Sequence, residues 1–305
     1  MLKLISQRLA QSAASLVAVT LLTFALLAAS GGDALTAFSD DRQASEATIE
    51  QMKRVYGLDQ PFVARYWRWL SSAARGDLGE SFFYHASVSS LVMPRLLKTI
   101  MLGLIALVFA WALSLALGLR AARRPGGWID LLCELLITLA ASTPRIVAAL
   151  ALLALASGTS LTTQSSVALP AFALSIPLVA LFLAQTREGV GEALSEDFVR
   201  TARAKGLSER AILLRHALRP ALGPLITILG YSLGSVMSGS VIVETVLGWP
   251  GLGSLSVNAV RSRDVPLLMG VVLVTAAAVL IGNLIADVLL SLNDPRLRET
   301  SDRAV

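Results

Sequence analysis

Six apolar runs, each near or beyond the ~20 residues that a helix needs to cross a bilayer, constrain this chain more than any other feature. They fall at about 9–29, 98–119, 129–156, 167–186, 221–247 and 267–290. Hydrocarbon offers no partner to a peptide N–H or C=O, so a spanning segment must close its hydrogen bonds as a helix or within a closed barrel. None of the six runs alternates polar and apolar residues in the manner of a strand, so helices are predicted. The expected fold is an all-α polytopic membrane protein with six transmembrane helices. A large extracytoplasmic insertion follows the first, and a cytoplasmic loop separates the fourth from the fifth. Composition agrees, since 55% of the 305 residues are hydrophobic and only 15% charged, outside the range of soluble domains.

The first run follows Lys3 and Arg8 and ends at Ala28-Ala29-Ser30, which resembles the end of a secretory signal. Its apolar stretch exceeds the ~7–15 residues of a signal peptide, so a retained anchor is expected. Orientation follows from Lys and Arg near the span ends, which favour the cytoplasmic side. One set of segments carries Lys3 and Arg8; Arg120, Arg123 and Arg124; the cluster from Arg187 to Arg219; and Arg296, Arg298 and Arg303. On the other set, basic residues of 30–97 are balanced by acidic ones, and 248–266 adds Arg261 and Arg263 beside Asp264. Both termini are therefore expected in the cytoplasm, with the 30–97 segment outside. The net charge of +5 is spent on this asymmetry and needs no nucleic acid to explain it.

Four regions follow: an anchor at 1–29, an extracytoplasmic helical segment at 30–97, a core of five transmembrane helices at 98–290 containing the basic loop 187–220, and a cytoplasmic tail at 291–305. In the outer segment, Ala44–Tyr56 has helical composition and closes at Gly57, while Pro61–Ala74 brings Tyr66, Trp67 and Trp69 near one another as interfacial anchors. One cysteine, Cys133, excludes an internal disulfide, and two distant histidines, His85 and His216, leave little for a metal centre.

The basic loop is punctuated. Ser195 is a candidate N-cap, with Glu196 and Asp197 at the positive end of a helix dipole. Lys205 suits the carbonyl end, and Gly206 can close the helix in the left-handed region. Ser208 offers a second N-cap with Glu209 behind it, and Pro220 is expected to stop the second helix at Arg219. Scattered charge would suffice for topology or for attracting anionic lipid; a capped helix–glycine–helix implies a structured protrusion.

Arg200 to Gly206, with Leu207, Ser208 and Glu209, resembles the cytoplasmic EAA loop of ABC-importer permeases, in the form found in the dipeptide, oligopeptide and nickel group. Of the general Glu-Ala-Ala…Gly pattern, Ala202 and Gly206 are retained, and the later proline is displaced by one to Pro220. The chain resembles the same family in Tyr56–Pro61 (YGLDQP), Gly76–Gly79 (GDLG), Val243–Val246, Trp249–Gly253 (WPGLG), Arg263-Asp264 and Asn293–Arg296 (NDPR). It departs from it at Gly31–Ala34, in the short 157–166 loop and at Ser142–Arg145.

This resemblance implies a transport subunit, not an enzyme. Its partners would be a second homologous permease, two cytoplasmic ABC ATPases and an extracytoplasmic substrate-binding protein, all organised around the lipid membrane. Arg200, Thr201, Ala202, Arg203, Ala204, Lys205, Gly206, Leu207, Ser208 and Glu209 would form the coupling element docking on an ATPase. The sequence contains no GxxxxGK[ST] phosphate loop, so ATP and Mg would be bound by the partner chains, and this one would need no cofactor or metal. Cargo is expected to be di- or oligopeptides; the alternative is nickel or a metal–chelator complex. A stand-alone secondary transporter would call for inverted repeats with broken helices, and an intramembrane enzyme for motifs such as GxSxG or HExxH, which the sequence lacks.

Ionisable residues within spans are costly and point to function. Arg145, after Pro144, either meets an anionic group of the cargo or is paired or snorkelled within the membrane. Glu244, near the outer end of the fifth span, is read as a gate or an interhelical hydrogen bond, and Asp287 as snorkelling. The fifth span also carries Gly230 and Gly234, whose spacing fits packing against a partner permease, interleaved with serines suited to a polar passage.

Overall fold

The computed structural model describes residues 2–29, 60–157 and 166–293, and these are almost entirely helical. The expected helix at Ala44–Tyr56, most of YGLDQP, nearly all of the 157–166 loop and most of NDPR lie outside the described residues. Among the described residues, five helices are long and apolar enough to cross a membrane: α1 (Leu2–Ala29), α3 (Val88–Arg123), α6 (Ala168–Ser195), α8 (Glu209–Leu247) and α10 (Val265–Asn293). Shorter helices are α2 (Phe62–Ala73), α4 (Trp128–Ser142), α5 (Arg145–Ala156), α7 (Asp197–Ala204) and α9 (Leu252–Arg261). Two two-residue strands, Glu80–Ser81 and Ala86–Ser87, form an antiparallel hairpin.

Three expectations are corrected. The third span is not one rod: α4 and α5 meet at a bend of 103°, so the pair makes a sixth span only if counted together. Pro144 disfavours helical geometry in the residue before it, and Thr143 accordingly sits at φ −88°, ψ 113°. At the break the Leu139 carbonyl accepts both the Thr143 N–H at 3.1 Å and its hydroxyl at 2.6 Å. Secondly, Pro220 does not end its helix. A π-helical turn over Ile212–Ala217 precedes it, with the Leu218 N–H donating to the Leu213 carbonyl five residues back. Widening of this kind is one way a helix accommodates a proline that lacks a donor and crowds the preceding turn. Thirdly, Ser195 caps nothing: its hydroxyl donates to the Glu192 carbonyl at 2.7 Å and so continues α6, leaving Glu196 to begin α7. In addition, α3 starts ten residues before the apolar run does, because Arg95 and Lys98 interrupt hydropathy without interrupting a helix.

The chain divides into two compact units. One comprises Ile100–Trp249 with the residues from Ile281 onward. Here α6 packs against α4, α5 and α8 around Leu174, Phe182, Leu183, Leu225 and Val236. Small residues set the spacing, as expected where lipid removes the usual hydrophobic drive and close contact must hold the helices. A Cβ on Gly103 would stand 2.7 Å from Val236, one on Gly118 would stand 2.8 Å from Thr186, and one on Gly230 would stand 2.6 Å from Ala286. Gly230 thus packs on α10 of its own chain, which corrects its reading as a contact for a partner permease. Large apolar side chains such as Val108, Leu135, Leu139 and Leu155 point outward, a surface suited to lipid.

The other unit comprises Leu2–Thr99 with Pro250–Leu280. Leu78, Val88, Leu252, Leu255, Leu267 and Val271 form one core, and Phe24, Tyr66 and Met269 another. Tyr66 lies 6.3 Å from Trp69 ring to ring, whereas Trp67 turns outward. The Tyr66 hydroxyl reaches α1, 3.0 Å from Thr20 Oγ1. Asp264, only 1% exposed, organises this unit. It accepts the Ser81 hydroxyl at 2.5 Å, the Phe83 N–H at 3.0 Å and the Leu267 N–H at 3.1 Å, the last capping α10. The GDLG and Arg263-Asp264 motifs are thus positions of turn and cap, with Gly76 and Gly79 at φ +86° and +83°.

Candidate functional site

The helix–glycine–helix element expected in the basic loop is present. α7 ends as Gly206 adopts φ +76°, and the Gly206 and Leu207 N–H groups turn back to the Arg203 and Ala202 carbonyls at 2.9 and 3.3 Å. This is a left-handed closure of the kind glycine permits. Ser208 then caps the next helix, its hydroxyl accepting the Ala211 N–H at 3.3 Å. The two arms are held together from within by Val199, Ala202 and Ile212, with Leu194 against them.

Of the ten residues expected to form the coupling element, nine are exposed. Ala202 is the exception, 5% exposed and turned inward, where only a small side chain lets α7 lie on Ile212. Across the elbow, Arg203 Nε donates to Glu209 Oε1 at 2.9 Å and Nη2 to Oε2 at 3.4 Å, a forked pair. The Arg203 guanidinium holds the Glu209 carboxyl below the usual carboxylate range. Arg200 and Asp197 also approach, but both are largely solvated and their pairing adds little. Exposed Phe198 and Leu207 give the outer surface apolar points among its charges.

The root of this element is fixed by a pair that sequence reasoning missed. Arg187 in α6 donates from Nε to Asp130 Oδ1 at 2.5 Å and from Nη2 to Oδ2 at 3.2 Å, with Glu134 3.8 Å away. Asp130, buried in the first turn of α4, also accepts the Gly126 N–H at 2.9 Å. One carboxylate therefore binds the 124–127 turn, α4 and the end of α6 from which α7 departs. Ala122, Val190, Ala193, Leu213, Ala217 and Ala221 pack around the same level. Fifty-seven residues separate Asp130 from Arg187, and no local spacing links them; an acid at the start of one span and a base at the end of the next was the only available signal.

Arg145 opens α5, and its Nη2 donates to Ser235 Oγ of α8 at 2.5 Å. The guanidinium fills the place of a side chain at Gly239, where a Cβ would stand 2.7 Å from Nη1. Part of the glycine–serine pattern in the fifth span is thereby a seat for an arginine. Glu244 is 0% exposed, and its backbone carbonyl accepts the Trp249 N–H at 2.9 Å where α8 ends at Gly248, φ +69°. Arg145 is thus seated against the middle of α8, and Glu244 lies buried near the end of that helix.

The sequence profile described as binding-protein-dependent transport system inner membrane component matches residues 114–299, and that of the N-terminal part of such components matches residues 1–103. Among curated relatives, the oligopeptide transport system permease protein AppB of Bacillus subtilis is 35% identical, over 96% of this chain and 98% of its own length. A putative peptide permease protein of Brucella suis is 34% identical over 98% of this chain and the whole of its own length. The dipeptide transport system permease protein DppB of Escherichia coli is 30% identical over 98% and 99%.

Proposed function

The chain belongs to the family of binding-protein-dependent transport system inner membrane components, and from that membership we propose that it moves di- and oligopeptides across the inner membrane. As a permease of an ABC importer it is a transport subunit that works with ATPases and a substrate-binding protein. The observation that carries the cargo is end-to-end similarity to permeases named for oligopeptides and dipeptides. Nickel, the other cargo open to the sequence, draws no support from those names.

In this reading one copy pairs with a second, similar permease and two ATPases, which bind the ATP and Mg. The basic loop and both termini lie in the cytoplasm, and the 30–97 segment faces outward, as the distribution of Lys and Arg favours. Arg200 to Glu209 dock on an ATPase, with Phe198 and Leu207 supplying apolar contacts. Closure of the ATPases then moves a capped, internally packed lever, and α6 and α8, between which it is slung, carry the motion into the bundle.

The test is reconstitution with partner ATPases and the binding protein, followed by peptide uptake with and without ATP. A Leu207→Cys variant should form a disulfide with a cysteine in the ATPase groove, while buried Cys133 stays silent. ATP-independent uptake, or cross-linking of Leu207→Cys only from the outer face of sealed vesicles containing the outward-facing orientation, overturns the reading.

A further inference from the structure

Beside the lever lies a cavity of about 540 Å³, lined in part by the lever's own Arg203 and Glu209. Its polar lining is Arg120, Arg123 and Arg124, at the end of α3, together with the Arg203–Glu209 pair of the lever. Four arginines against one glutamate leave a net charge of +3 in a small volume. The rest of the lining is apolar, made by Ile129, Leu194 and Leu213. Next to Ile129 stands Trp128, 75% exposed, at the first residue of α4. Tryptophan favours the membrane–water interface, and here it stands where one span has ended and another begins.

Charge, shape and depth define the occupant. Guanidinium groups present planar forks that fit a phosphate, and their concentration needs an anion. A soluble anion would make no use of the apolar wall; a molecule with a phosphate at one end and a glycerol and acyl stem at the other uses both. We propose that this cavity holds the head group of an anionic phospholipid from the cytoplasmic leaflet. The inference rests on the orientation proposed above, which puts the lever end of the bundle at the cytoplasmic surface. Because Arg203 and Glu209 line it together with Arg120, Arg123 and Arg124, an occupied cavity ties the lever to the end of α3, and anionic lipid then bears on coupling.

The experiment uses the assembled importer, purified in mild detergent and incubated with phosphatidylglycerol, with bound lipid counted by native mass spectrometry. Near a charged surface each arginine is worth roughly a fivefold factor, so Arg120→Gln/Arg123→Gln/Arg124→Gln should weaken lipid retention on the order of a hundredfold. Should that variant fail to assemble, the triple arginine-to-lysine variant keeps the charge and the topology but loses the forks; it should retain lipid several-fold less well. Equal retention by wild type and an assembled variant overturns the proposal. So does inorganic phosphate competing as well as phosphatidylglycerol, which would assign a soluble anion, or loss of the ATPases with lipid retained, which would assign the arginines to the ATPase. Arginine-dependent lipid retention by a wild-type importer that moves no peptide would sink the cargo reading and leave this one standing.

Discussion

The guanidinium of Arg145 occupies the space that a side chain at Gly239 would need, while its Nη2 donates to Ser235 one turn earlier on the same helix. An arginine, a glycine and a serine from two helices thus form one joint. Gly239→Ala should displace the arginine at a cost of about 1–3 kcal/mol, measured by thermal unfolding in detergent. Removing the arginine as well, Arg145→Ala with Gly239→Ala, should recover part of the loss. Ser235→Ala should cost less, about 0.6 kcal/mol, the usual worth of an interhelical hydrogen bond in a membrane protein.

The Asp130–Arg187 pair is largely but not fully shielded, with side chains 8% and 29% exposed. Asp130→Asn or Arg187→Gln should each destabilise by about 1–3 kcal/mol, below the value for a fully buried pair. The double variant should lose clearly less than the two singles together, as a double-mutant cycle would reveal. Because the pair roots the lever, ATP hydrolysis in the single variants should persist while peptide uptake per ATP falls.

At Gly206 a Cβ would meet nothing within 4 Å, so any penalty there is conformational. Gly206→Ala should cost about 1–2 kcal/mol from the left-handed backbone alone. Gly206→Val should be worse, and Gly206→Pro, whose ring cannot adopt that φ, should abolish uptake. The order Ala, Val, Pro in ATP-driven uptake at equal membrane abundance is the measurement; an unchanged Gly206→Pro importer would remove the lever from the mechanism.

Asp264 receives three donors, two from the Glu80–Ser87 hairpin and one from the first turn of α10. Asp264→Ala orphans all of them and should cost about 2–3 kcal/mol or more, since the lost acceptor is a buried carboxylate. Limited proteolysis of the Ser81–Ser87 hairpin should accelerate, whereas Ser81→Ala, removing one donor, should have a milder effect.

Glu209 titrates below an ordinary carboxylate because of Arg203. A carboxyl depressed in the folded state adds stability above its unfolded pKa, about 4.3, and loses it as pH falls through the folded value. Hydrogen exchange of residues 197–211, corrected for intrinsic rate, should therefore be level from neutral pH down to about 5 and rise only in stronger acid. Glu209→Gln should flatten that acid rise. The effect is small, as both partners meet solvent.

Hydropathy and helix punctuation made the spans, the basic loop and its elbow legible, because those features are local: an apolar run, a glycine, a serine before an acid. Pro144 and Pro220 show where local rules divide. Each carries the same information in sequence, yet one breaks its span by 103° and the other is absorbed by a π-helical turn. Only packing around them decides which. Asp130 with Arg187, and Arg145 with Gly239, were illegible for a different reason: each joins helices far apart in sequence, and such pairs leave no periodic trace. Ala202 was readable as part of a motif but not as an inward-facing residue, since orientation on so short a helix depends on Ile212 beyond the elbow.

The elbow at Thr143-Pro144 limits what can surround the bundle. It falls fifteen residues into its pass, some 22 Å along at helical rise, and Ser142 and Pro144 there are exposed. Acyl chains offer nothing to irregular peptide groups, so such backbone persists at that depth only against water or another polypeptide. The flank on which the corner opens is therefore closed to oil: whichever neighbour completes the assembly, or whatever aqueous route runs through it, must pass on that side.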